Sequence, residues 1–343
     1  MPQRSLPTIA TLGSHSALQI LRGARDEALP NLVIAPKGKD GLYRRYPFVD
    51  DVLTIDSYAA FADLETDLVA RGVVMVPHGS FVAYLGEAVN ASMRVGYYGS
   101  RPVLRWEGSR DLQRQWLTAA GIPQPAEYTD LATIDGWPVL VKTFGAAGGS
   151  GYFLARSRAH LDEQLAERGL DQGPRRYTVQ RYVLGVTLYI HFFQSVMRDR
   201  LEILSMDRRY ETNVDGLGRL PHHVQAEIQP SPSYVVVGNS ELVLRESMLE
   251  EAYQMGERVV SAARELVSPR GFWGPFCLET IITPDLAFHV IEISCRIVAG
   301  TNLFVNGSPY AALYFDEPMS TGRRIAREIR EAWLAGRMDE IID

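Results

Sequence analysis

A run of glycines marks the first stretch of the chain in which chemistry is expected. The segment Gly145-Ala146-Ala147-Gly148-Gly149-Ser150-Gly151 holds four glycines in seven positions. Backbone N–H groups with so little side-chain bulk can close over nucleotide phosphates. No Gly-Lys-Ser/Thr follows, and no helix is expected directly after the run, so it matches neither a Walker nor a Rossmann motif. An ordinary hairpin loop is the alternative interpretation.

Lys142 strengthens the phosphate interpretation, because it stands three residues before the glycine run. It ends the strand-like stretch Trp137-Pro138-Val139-Leu140-Val141-Lys142. A lysine there can reach a phosphate as a point charge. The alternative is a solvated surface lysine, but the apolar flanks predict a buried strand, in which an unpaired lysine is costly.

Two carboxylates form the second candidate group. Glu279 and Glu292 lie on the two arms of a predicted hairpin, Cys277–Thr283 and Phe288–Ile293, which turns at Pro284-Asp285. Carboxylates held close on adjacent strands repel unless a cation or a shared proton relieves them. Oxygen ligands of this kind suit Mg²⁺, and the pair is therefore a predicted metal site. Alternation along the strands also allows both side chains to face solvent.

Arg296 follows soon after Glu292 and opens the segment Arg296-Ile297-Val298-Ala299-Gly300-Thr301-Asn302. A cation and an amide beside a metal site would suit a phosphate or an anionic intermediate. An ordinary loop that contains a glycine is the alternative.

Two turns near the start of the chain combine serine and histidine. Ser14-His15-Ser16 and His78-Gly79-Ser80 each follow a short apolar strand and precede a helical stretch. Ligands of parallel sheets sit outside the carboxyl ends of the strands, and helix amino ends favour anions. The two turns together therefore favour a phosphate or polar-ligand site, although either serine alone could be only a helix N-cap.

The spacing of apolar residues predicts the elements that position these groups. The first hundred residues alternate short strands (Thr8–Leu12, 32–35, 52–55 and 73–77) with helical stretches, including one over 82–89, which implies a parallel sheet. Later segments predict strands at 137–142, 152–155 and 177–183 and helices at 157–165, 246–267 and 323–334. The stretch Pro221–Pro232 reads as a loop.

Composition excludes several classes of protein. The 343 residues are 46% hydrophobic, with a net charge of −6 and two cysteines, Cys277 and Cys295. No apolar run reaches the roughly 18 residues of a membrane span, and the start lacks the pattern of a signal peptide. Two cysteines make no disulfide framework, and no basic block indicates a nucleic-acid polymer. We therefore expect a cytoplasmic protein of two or three domains with no membrane or nucleic-acid partner.

The order of these features resembles that of the ATP-grasp ligases, and several segments resemble one family more closely. That family is the archaeal formate-dependent FAICAR synthetases, the PurP family. The similar segments span nearly the whole chain: SHSALQILRGA (14–24), GGSGYFLA (148–155), RRYETNVDGL (208–217), PSYVVVGNSELVLRES (232–247), GPFCLETI (274–281), EISCRIVAGTN (292–302) and GSPY (307–310).

The resemblance implies an α/β, ATP-grasp fold with an N-terminal parallel-sheet domain. It divides the chain into a ribotide-binding domain (1–104), a lid subdomain with the glycine-rich flap (105–185) and a core with the metal-binding hairpin (186–343). It implies that the chain formylates the 5-amino group of AICAR with formate and ATP, through formyl phosphate, to give FAICAR, ADP and phosphate in purine synthesis. Family members are oligomeric, so a homo-oligomer is expected.

The resemblance also assigns residues. The implied AICAR ligands are His15, Ser80 and Asn239, and Mg²⁺ (or Mn²⁺) would bind Glu279 and Glu292. Lys142 and Arg296 would be catalytic, Arg296 by steadying the acyl phosphate. The implied ATP-binding residues are Lys142, Gly145, Gly148, Gly149, Gly151, Gln180, Tyr182, Val183 and Glu211.

The chain departs from the family pattern at a few positions. Ala147 and Ser150 stand where the flap commonly carries basic residues, Arg181 where an acidic residue is usual, Ser294 where asparagine is common, and Cys295 where a small residue is frequent. These differences leave two alternatives open. One is an ATP-grasp ligase for another acid or amine, and the other is a non-catalytic nucleotide- or ribotide-binding regulator.

Overall fold

The computed structural model describes residues 5–143, 151–228 and 232–343, and its first sheet is parallel, as the sequence predicts. Its strands are β1 (Thr8–Leu12), β2 (Asn31–Pro36), β3 (Asp51–Ile55), β4 (Val73–Met75) and β5 (Gly96–Tyr97). They lie in the order β3-β2-β1-β4-β5, each pair parallel. Four helices connect them: α1 (Ala17–Asp26), α2 (Phe61–Ala70), α3 (Phe81–Leu85) and α4 (Glu87–Ser92).

Two helices lead from this sheet to a small antiparallel sheet. They are α5 (Pro102–Gly108) and α6 (Arg110–Ala119). The small sheet has the order β7-β6-β8, from β6 (Val139–Thr143), β7 (Tyr152–Ala155) and β8 (Tyr177–Arg181). Helix α7 (Arg158–Glu167) connects β7 to β8 and buries Leu161 and Leu165.

The third sheet is antiparallel and carries most of the candidate chemistry. It is built from β9 (Val186–Ser195), β10 (Arg200–Glu211), β11 (Val236–Glu241), β12 (Gly274–Ile282) and β13 (Phe288–Ser294), in the order β11-β10-β9-β12-β13. The short helices α8 (Val214–Leu217) and α9 (His222–Ile228) separate β10 from β11. Helices α10 (Leu249–Leu266) and α11 (Thr321–Ala335) pack beside the sheets.

Close packing joins helices that lie far apart in the sequence. The fully buried Trp116 of α6 donates from Nε1 to the carbonyl of Val259 on α10, at 3.0 Å. Helices α1 and α11 approach closely at Gly23 and Gly322, where a Cβ on either glycine would lie 2.2 Å from the backbone of the other helix. Only glycine permits this approach, because any side chain would force the helices apart.

Two sequence-based expectations about local structure are wrong. The sequence predicts a loop over Pro221–Pro232, but residues 222–228 form α9. Because the residues of α9 are largely exposed, the helix has no apolar stripe from which it could be predicted. The expected helix over 82–89 is two helices, since Gly86 interrupts it with φ +80°. A positive φ cannot continue a right-handed helix. The domain boundaries at 104 and 185 stay a prediction.

Candidate functional site

The paired carboxylates are placed as the hairpin predicts. Glu279 on β12 lies directly opposite Glu292 on β13, beside a register shift between Glu279 and Thr280. Glu279 is buried, which rules out the solvent-facing alternative for that side chain. Burial, only partly offset by Arg209, raises the pKa of Glu279 to about 7. A second carboxylate opposite an already desolvated one is a repulsive arrangement that a bound cation would relieve.

Arg209 on β10 is a site residue that the sequence analysis missed. Its Nη2 lies 3.2 Å from Oε1 of Glu279, and its guanidinium lies 3.7 Å from the ring centroid of Tyr189. Its Nε is buried and, within the described residues, has no hydrogen-bond partner. Alternation along β10 does not show which residues of other strands Arg209 faces. That depends on the order β10-β9-β12, in which Tyr189 on β9 lies between Arg209 and Glu279.

Lys142 ends β6 and is buried, as its apolar flanks predict. Burial and then the nearby Arg110 lower the pKa of Lys142 to about 8. Its Nζ lies 5.4 Å from the ring centroid of Tyr152, and it forms no ion pair within residues 5–143, 151–228 and 232–343. A buried cation without a carboxylate partner is costly unless an anionic ligand compensates it.

Arg296 follows β13 and is held by a residue from another part of the chain. Its Nη2 lies 2.5 Å from Oε1 of Glu107 on α5, and both side chains are 12% exposed. Oε2 of Glu107 also accepts from the backbone N–H of Cys295, at 2.7 Å. Burial nevertheless raises the pKa of the Glu107 carboxyl. Glu107 is the second site residue that the sequence analysis missed, since nothing local links it to Arg296.

The two Ser/His turns come together at the carboxyl ends of β1 and β4. The rings of His15 and His78 stack with centroids 5.6 Å apart, and Oγ of Ser80 lies 3.1 Å from Nδ1 of His15. Burial lowers the pKa of His78 to about 3. Its Nε2 lies 2.9 Å from the carbonyl of Leu12, and its Nδ1 accepts from the backbone N–H of Ser80 at 3.2 Å, so His78 is neutral with the proton on Nε2.

One cavity of about 480 Å³ connects these groups. Most of the predicted site residues line it: His15, Lys142, Gln180, Tyr182, Val183, Glu211, Glu279, Glu292 and Arg296. Arg209 and Tyr189 line it as well. The cavity is therefore lined by residues of both antiparallel sheets and of the turns that follow β1 and β4 of the parallel sheet.

The predicted ATP-binding residues of β8 and β10 lie together on this cavity. Gln180, Tyr182 and Val183 follow the edge of β8, where Nε2 of Gln180 lies 3.4 Å from Oε2 of Glu127. Burial, then the neighbouring Asp215, raises the pKa of Glu211 to about 7. A carboxyl that is easily protonated can accept from or donate to a ribose hydroxyl.

Several predicted residues lie beside the cavity or outside the described part of the chain. Ser80 contacts His15, and Asn239 donates from Nδ2 to Oδ2 of Asp207, but neither lines the cavity. The carbonyl of Gly151, which has φ +75°, accepts from the N–H of Thr143 at 3.2 Å. Gly145, Gly148 and Gly149, with the departures Ala147 and Ser150, lie outside the described residues.

The remaining departures have clear surroundings. Arg181 lies 2.5 Å from Asp135 in an exposed ion pair. Ser294 is buried on β13, and its Oγ has no hydrogen-bond partner within the described residues. Cys295 is buried and reduced.

A metal ion fits the carboxylate pair only with help from a ligand. Among the described residues no group of three or more His, Cys, Asp or Glu side chains could hold a metal ion. Glu279 and Glu292 supply oxygen atoms and negative charge that Arg209 only partly offsets. A Mg²⁺ ion bound by one or two carboxylates and substrate phosphates requires such donors. The donor set therefore fits magnesium bound together with a nucleotide.

Two family models match this chain. The first, described as "Protein of unknown function (DUF1246)", covers residues 9–128, and the second, "Domain of unknown function (DUF1297)", covers residues 159–343. A curated 5-formaminoimidazole-4-carboxamide-1-(beta)-D-ribofuranosyl 5'-monophosphate synthetase from Pyrococcus horikoshii is 48% identical over 338 residues, 97% of this chain and 99% of that protein. The protein of the same name from Methanocaldococcus jannaschii is 43% identical over 343 residues, 98% of this chain and 94% of that protein.

Solved structures extend the likeness. The IMP biosynthesis protein PurP from Thermococcus kodakaraensis has a TM-score of 0.79 and 32% identity, and the match covers 98% of this chain and all of that one. The biotin carboxylase domain of Hydrogenobacter thermophilus 2-oxoglutarate carboxylase, crystallised with MgADP and bicarbonate, has a TM-score of 0.68 at 13% identity. That match covers 95% of this chain and 70% of that one. At such low identity the second likeness concerns the fold alone.

The fold is that of the ATP-grasp proteins, with a parallel sheet before the two antiparallel ones, and the predicted fold class is confirmed. Within that class the relatives are specific. The chain belongs to the family of 5-formaminoimidazole-4-carboxamide-1-(beta)-D-ribofuranosyl 5'-monophosphate synthetases, the PurP family, as the resemblance of its segments indicates.

Proposed function

We propose that this chain is an ATP-dependent carbon–nitrogen ligase that formylates the 5-amino group of AICAR with formate in purine nucleotide biosynthesis. The products are FAICAR, ADP and phosphate. The observation that carries the proposal is the shared cavity, which brings Lys142, the Glu279/Glu292 pair, Arg296 and the His15 turn together in a chain of this family. The two alternatives of another acid or amine and of a non-catalytic regulator are outcomes of the test below.

ATP would bind between the small sheet and the large one. Its adenine would lie along Gln180, Tyr182 and Val183, and Glu211 would contact the nucleotide. Lys142 has no ion pair within the described residues, so a phosphate is the partner that would compensate its charge. By the family resemblance, Gly145, Gly148, Gly149 and Gly151 would bind the phosphates and help to exclude water.

Mg²⁺, or Mn²⁺, would be held by Glu279 and Glu292 and would offset charge on the phosphates of the nucleotide. Arg209 pairs with Oε1 of Glu279. By fixing the position of the cation, the two carboxylates would orient the polyphosphate that binds to it.

The ribotide would enter at the carboxyl ends of β1 and β4. His15 and Ser80 share a contact there. Asn239 on β11 lies beside Gly300, and Asn302 two residues further on donates to the carbonyl of His15 at 3.4 Å. Burial, and then Arg296 and Arg209, lower the pKa of His15. The two arginines would supply positive charge to a phosphate bound here.

Two displacements complete the reaction. A formate oxygen bonds to the γ-phosphorus of ATP while the bond to the β,γ-bridging oxygen breaks, giving formyl phosphate and ADP. The neutral 5-amino nitrogen of AICAR then attacks the formyl carbon, phosphate leaves, and the nitrogen loses a proton. Arg296, held by Glu107, and Lys142 offset the negative charge of these transition states.

An ADP-release assay on the full chain tests the proposal. Release is expected only when ATP, formate and AICAR are all present, with FAICAR detected in equal amount by mass spectrometry. Release that ignores AICAR, or that responds to another acid or ribotide instead, would favour a different ligase. Tight ATP binding with no turnover on any acid would favour the regulator.

A homo-oligomer is part of the same proposal and rests on the family. Sedimentation of the purified protein tests it, because a monomer at micromolar concentration would contradict it. Within the described residues no helix is long and apolar enough to cross a membrane. Location in the cytoplasm and the absence of a nucleic-acid partner stay expectations from composition.

A further inference from the structure

A buried carboxylate lies behind the predicted ribotide ligand Asn239. Asp207 on β10 is completely buried, between His191 on the neighbouring strand β9 and Asn239 on β11. Its Oδ1 lies 2.5 Å from Nε2 of His191, and its Oδ2 accepts a hydrogen bond from Nδ2 of Asn239. The three residues form a chain of hydrogen bonds across three adjacent strands.

This chain of hydrogen bonds fixes which atoms donate in the contacts of Asp207 with His191 and with Asn239. An ionised carboxylate only accepts hydrogen bonds, so the histidine must carry its proton on Nε2, and the asparagine must turn its NH₂ group toward Asp207. The two ends of an asparagine amide have nearly the same shape, and packing alone does not choose between them. Asp207 makes that choice, and it leaves Oδ1 of Asn239 as an acceptor for a further donor.

The backbone at Gly300 keeps the asparagine side chain in this place. Gly300 has φ +88°, and a Cβ there would lie 2.3 Å from Nδ2 of Asn239. The amide is therefore confined between Gly300 and Asp207. The confinement limits its rotation, so that little entropy is lost when a ligand binds to it.

We propose that Asp207, held by His191, is a positioning residue that fixes the amide of Asn239 with Oδ1 as a hydrogen-bond acceptor for an N–H or O–H group of the ribotide. The inference deepens the proposed function and rests on it. It makes the site selective for a ribotide that presents a donor at this point, because an acceptor there would face the oxygen of Asn239 with no hydrogen between them.

Exchanging the side chains of Asp207 and Asn239 tests which of the two must donate the hydrogen bond. Asn239→Asp sets two carboxylates against each other and should weaken AICAR binding by about 30-fold or more, whereas Asp207→Asn frees the amide and should weaken it by about 10-fold. In the double variant the new amide at 207 can donate to the new carboxylate at 239, whose second oxygen again accepts. The double variant should therefore recover most of the affinity.

Calorimetric titration of each full-length variant with AICAR, and separately with MgATP, provides the measurement. A positioning role predicts loss and rescue for AICAR while the affinity for MgATP stays constant. Parallel loss of both affinities would show a merely structural role and overturn the proposal, as would a double variant no better than Asn239→Asp. Failure of the unaltered protein to bind AICAR would overturn the proposed function, and this inference with it.

A second pair of variants covers the case in which Asp207→Asn fails to fold. His191→Gln keeps a donor that can face Asp207, whereas His191→Leu removes it. AICAR affinity should fall several-fold only in the leucine variant, at unchanged MgATP affinity. Equal AICAR affinities in the two folded variants would contradict the proposal.

Discussion

Two of the buried charge clusters in the described part of the chain are built in opposite ways. The first joins α11 to the hairpin of β9 and β10 and contains Arg324, Glu202 and Glu328. Arg324 is completely buried, donating from Nε to Glu202 and from Nη1 to Glu328, both at 2.8 Å. Every carboxylate oxygen of the two glutamates accepts at least one hydrogen bond. Besides Arg324, the donors are Arg200, Ser195 and two backbone N–H groups.

The second cluster lines the cavity and is not closed. Glu279 has one charged partner, Arg209, whose Nε lacks a hydrogen bond within the described residues. Within the same residues Lys142 and Glu292 form no ion pair. The raised pKa of Glu279 and the lowered pKa of Lys142 both reflect burial that protein partners do not offset.

The difference distinguishes a cluster that stabilises the fold from one that we propose binds substrates. Buried charges that are mutually satisfied hold two elements in one arrangement, and they have no capacity left for a ligand. Buried charges that are left unbalanced beside a cavity are costly to the free protein, and that cost is recovered when a charged substrate binds. Variants in the two clusters should therefore affect different properties.

Arg324→Met should give the largest effect on stability. It leaves Glu202 and Glu328 buried without their shared cation, and breaking such a group costs about 3–5 kcal/mol. Urea denaturation provides the measurement. The exposed pair of Arg337 and Glu340 supplies the control, because Arg337→Met should leave the free energy of unfolding nearly unchanged. Similar losses in both variants would end the distinction between the clusters.

Glu292→Gln should give the opposite pattern. Turnover is expected to fall about 100-fold or more, because one of the two charges that we propose hold the nucleotide's cation is lost. The affinity for AICAR should change little. The free energy of unfolding should be unchanged or higher, since a carboxylate facing Glu279 is removed. Glu257→Gln on the exposed face of α10 is the matched control. Equal losses of turnover and AICAR binding would make Glu292 structural.

Lys142→Met should make the protein more stable but weaken its binding of ATP. The pKa of Lys142 is about 8 in the folded state against 10.5 for a free lysine, so folding at pH 7 carries the cost of a buried cation. Removing it should raise the free energy of unfolding by about 3 kcal/mol and weaken ATP binding.

The pH dependence of this gain has a definite sign. Between pH 8 and 10.5 the unfolded state binds the extra proton, so the unaltered protein gains stability as pH rises through this window. The advantage of the methionine variant should therefore be full below pH 8 and disappear by about pH 10.5. The exposed Lys37→Met should show no such change. A variant less stable than the unaltered protein at pH 7 would mean that Lys142 has a protein partner.

His78 should give the smallest effect, since it is a satisfied group at the edge of the open cluster. Its folded pKa of about 3 lies below the free value of 6.5, so stability is full above pH 6.5 and falls as the pH is lowered toward 3. By pH 5 the loss is about 2 kcal/mol at about 1.4 kcal/mol per pH unit. His78→Gln keeps a donor and an acceptor and should flatten this dependence, whereas exposed His223→Gln should not. Equal slopes in all three proteins would contradict the assignment.

Local patterns determined much of the fold. The strand Thr8–Leu12 has its expected bounds, and the expected hairpin of Cys277–Thr283 and Phe288–Ile293 is β12 and β13, with Glu279 and Glu292 opposite each other. The apolar residues around Lys142 indicated its burial, and the spacing in the last helix indicated α11. Each of these features depends on residues close in sequence, which periodicity records. The segments that resemble one family likewise predicted the family, which the relatives confirm.

Tertiary structure alone decided which charges meet. Glu107 pairs with Arg296 from 189 positions away, and Arg209 reaches Glu279 only because β9 lies between their strands. Asp207 and Arg324 read in the sequence as ordinary charged residues of a strand and a helix, yet both are completely buried. Alternation states which side chains share a face but not what covers that face. Whether a buried charge is satisfied depends on partners that only the packing of distant segments supplies.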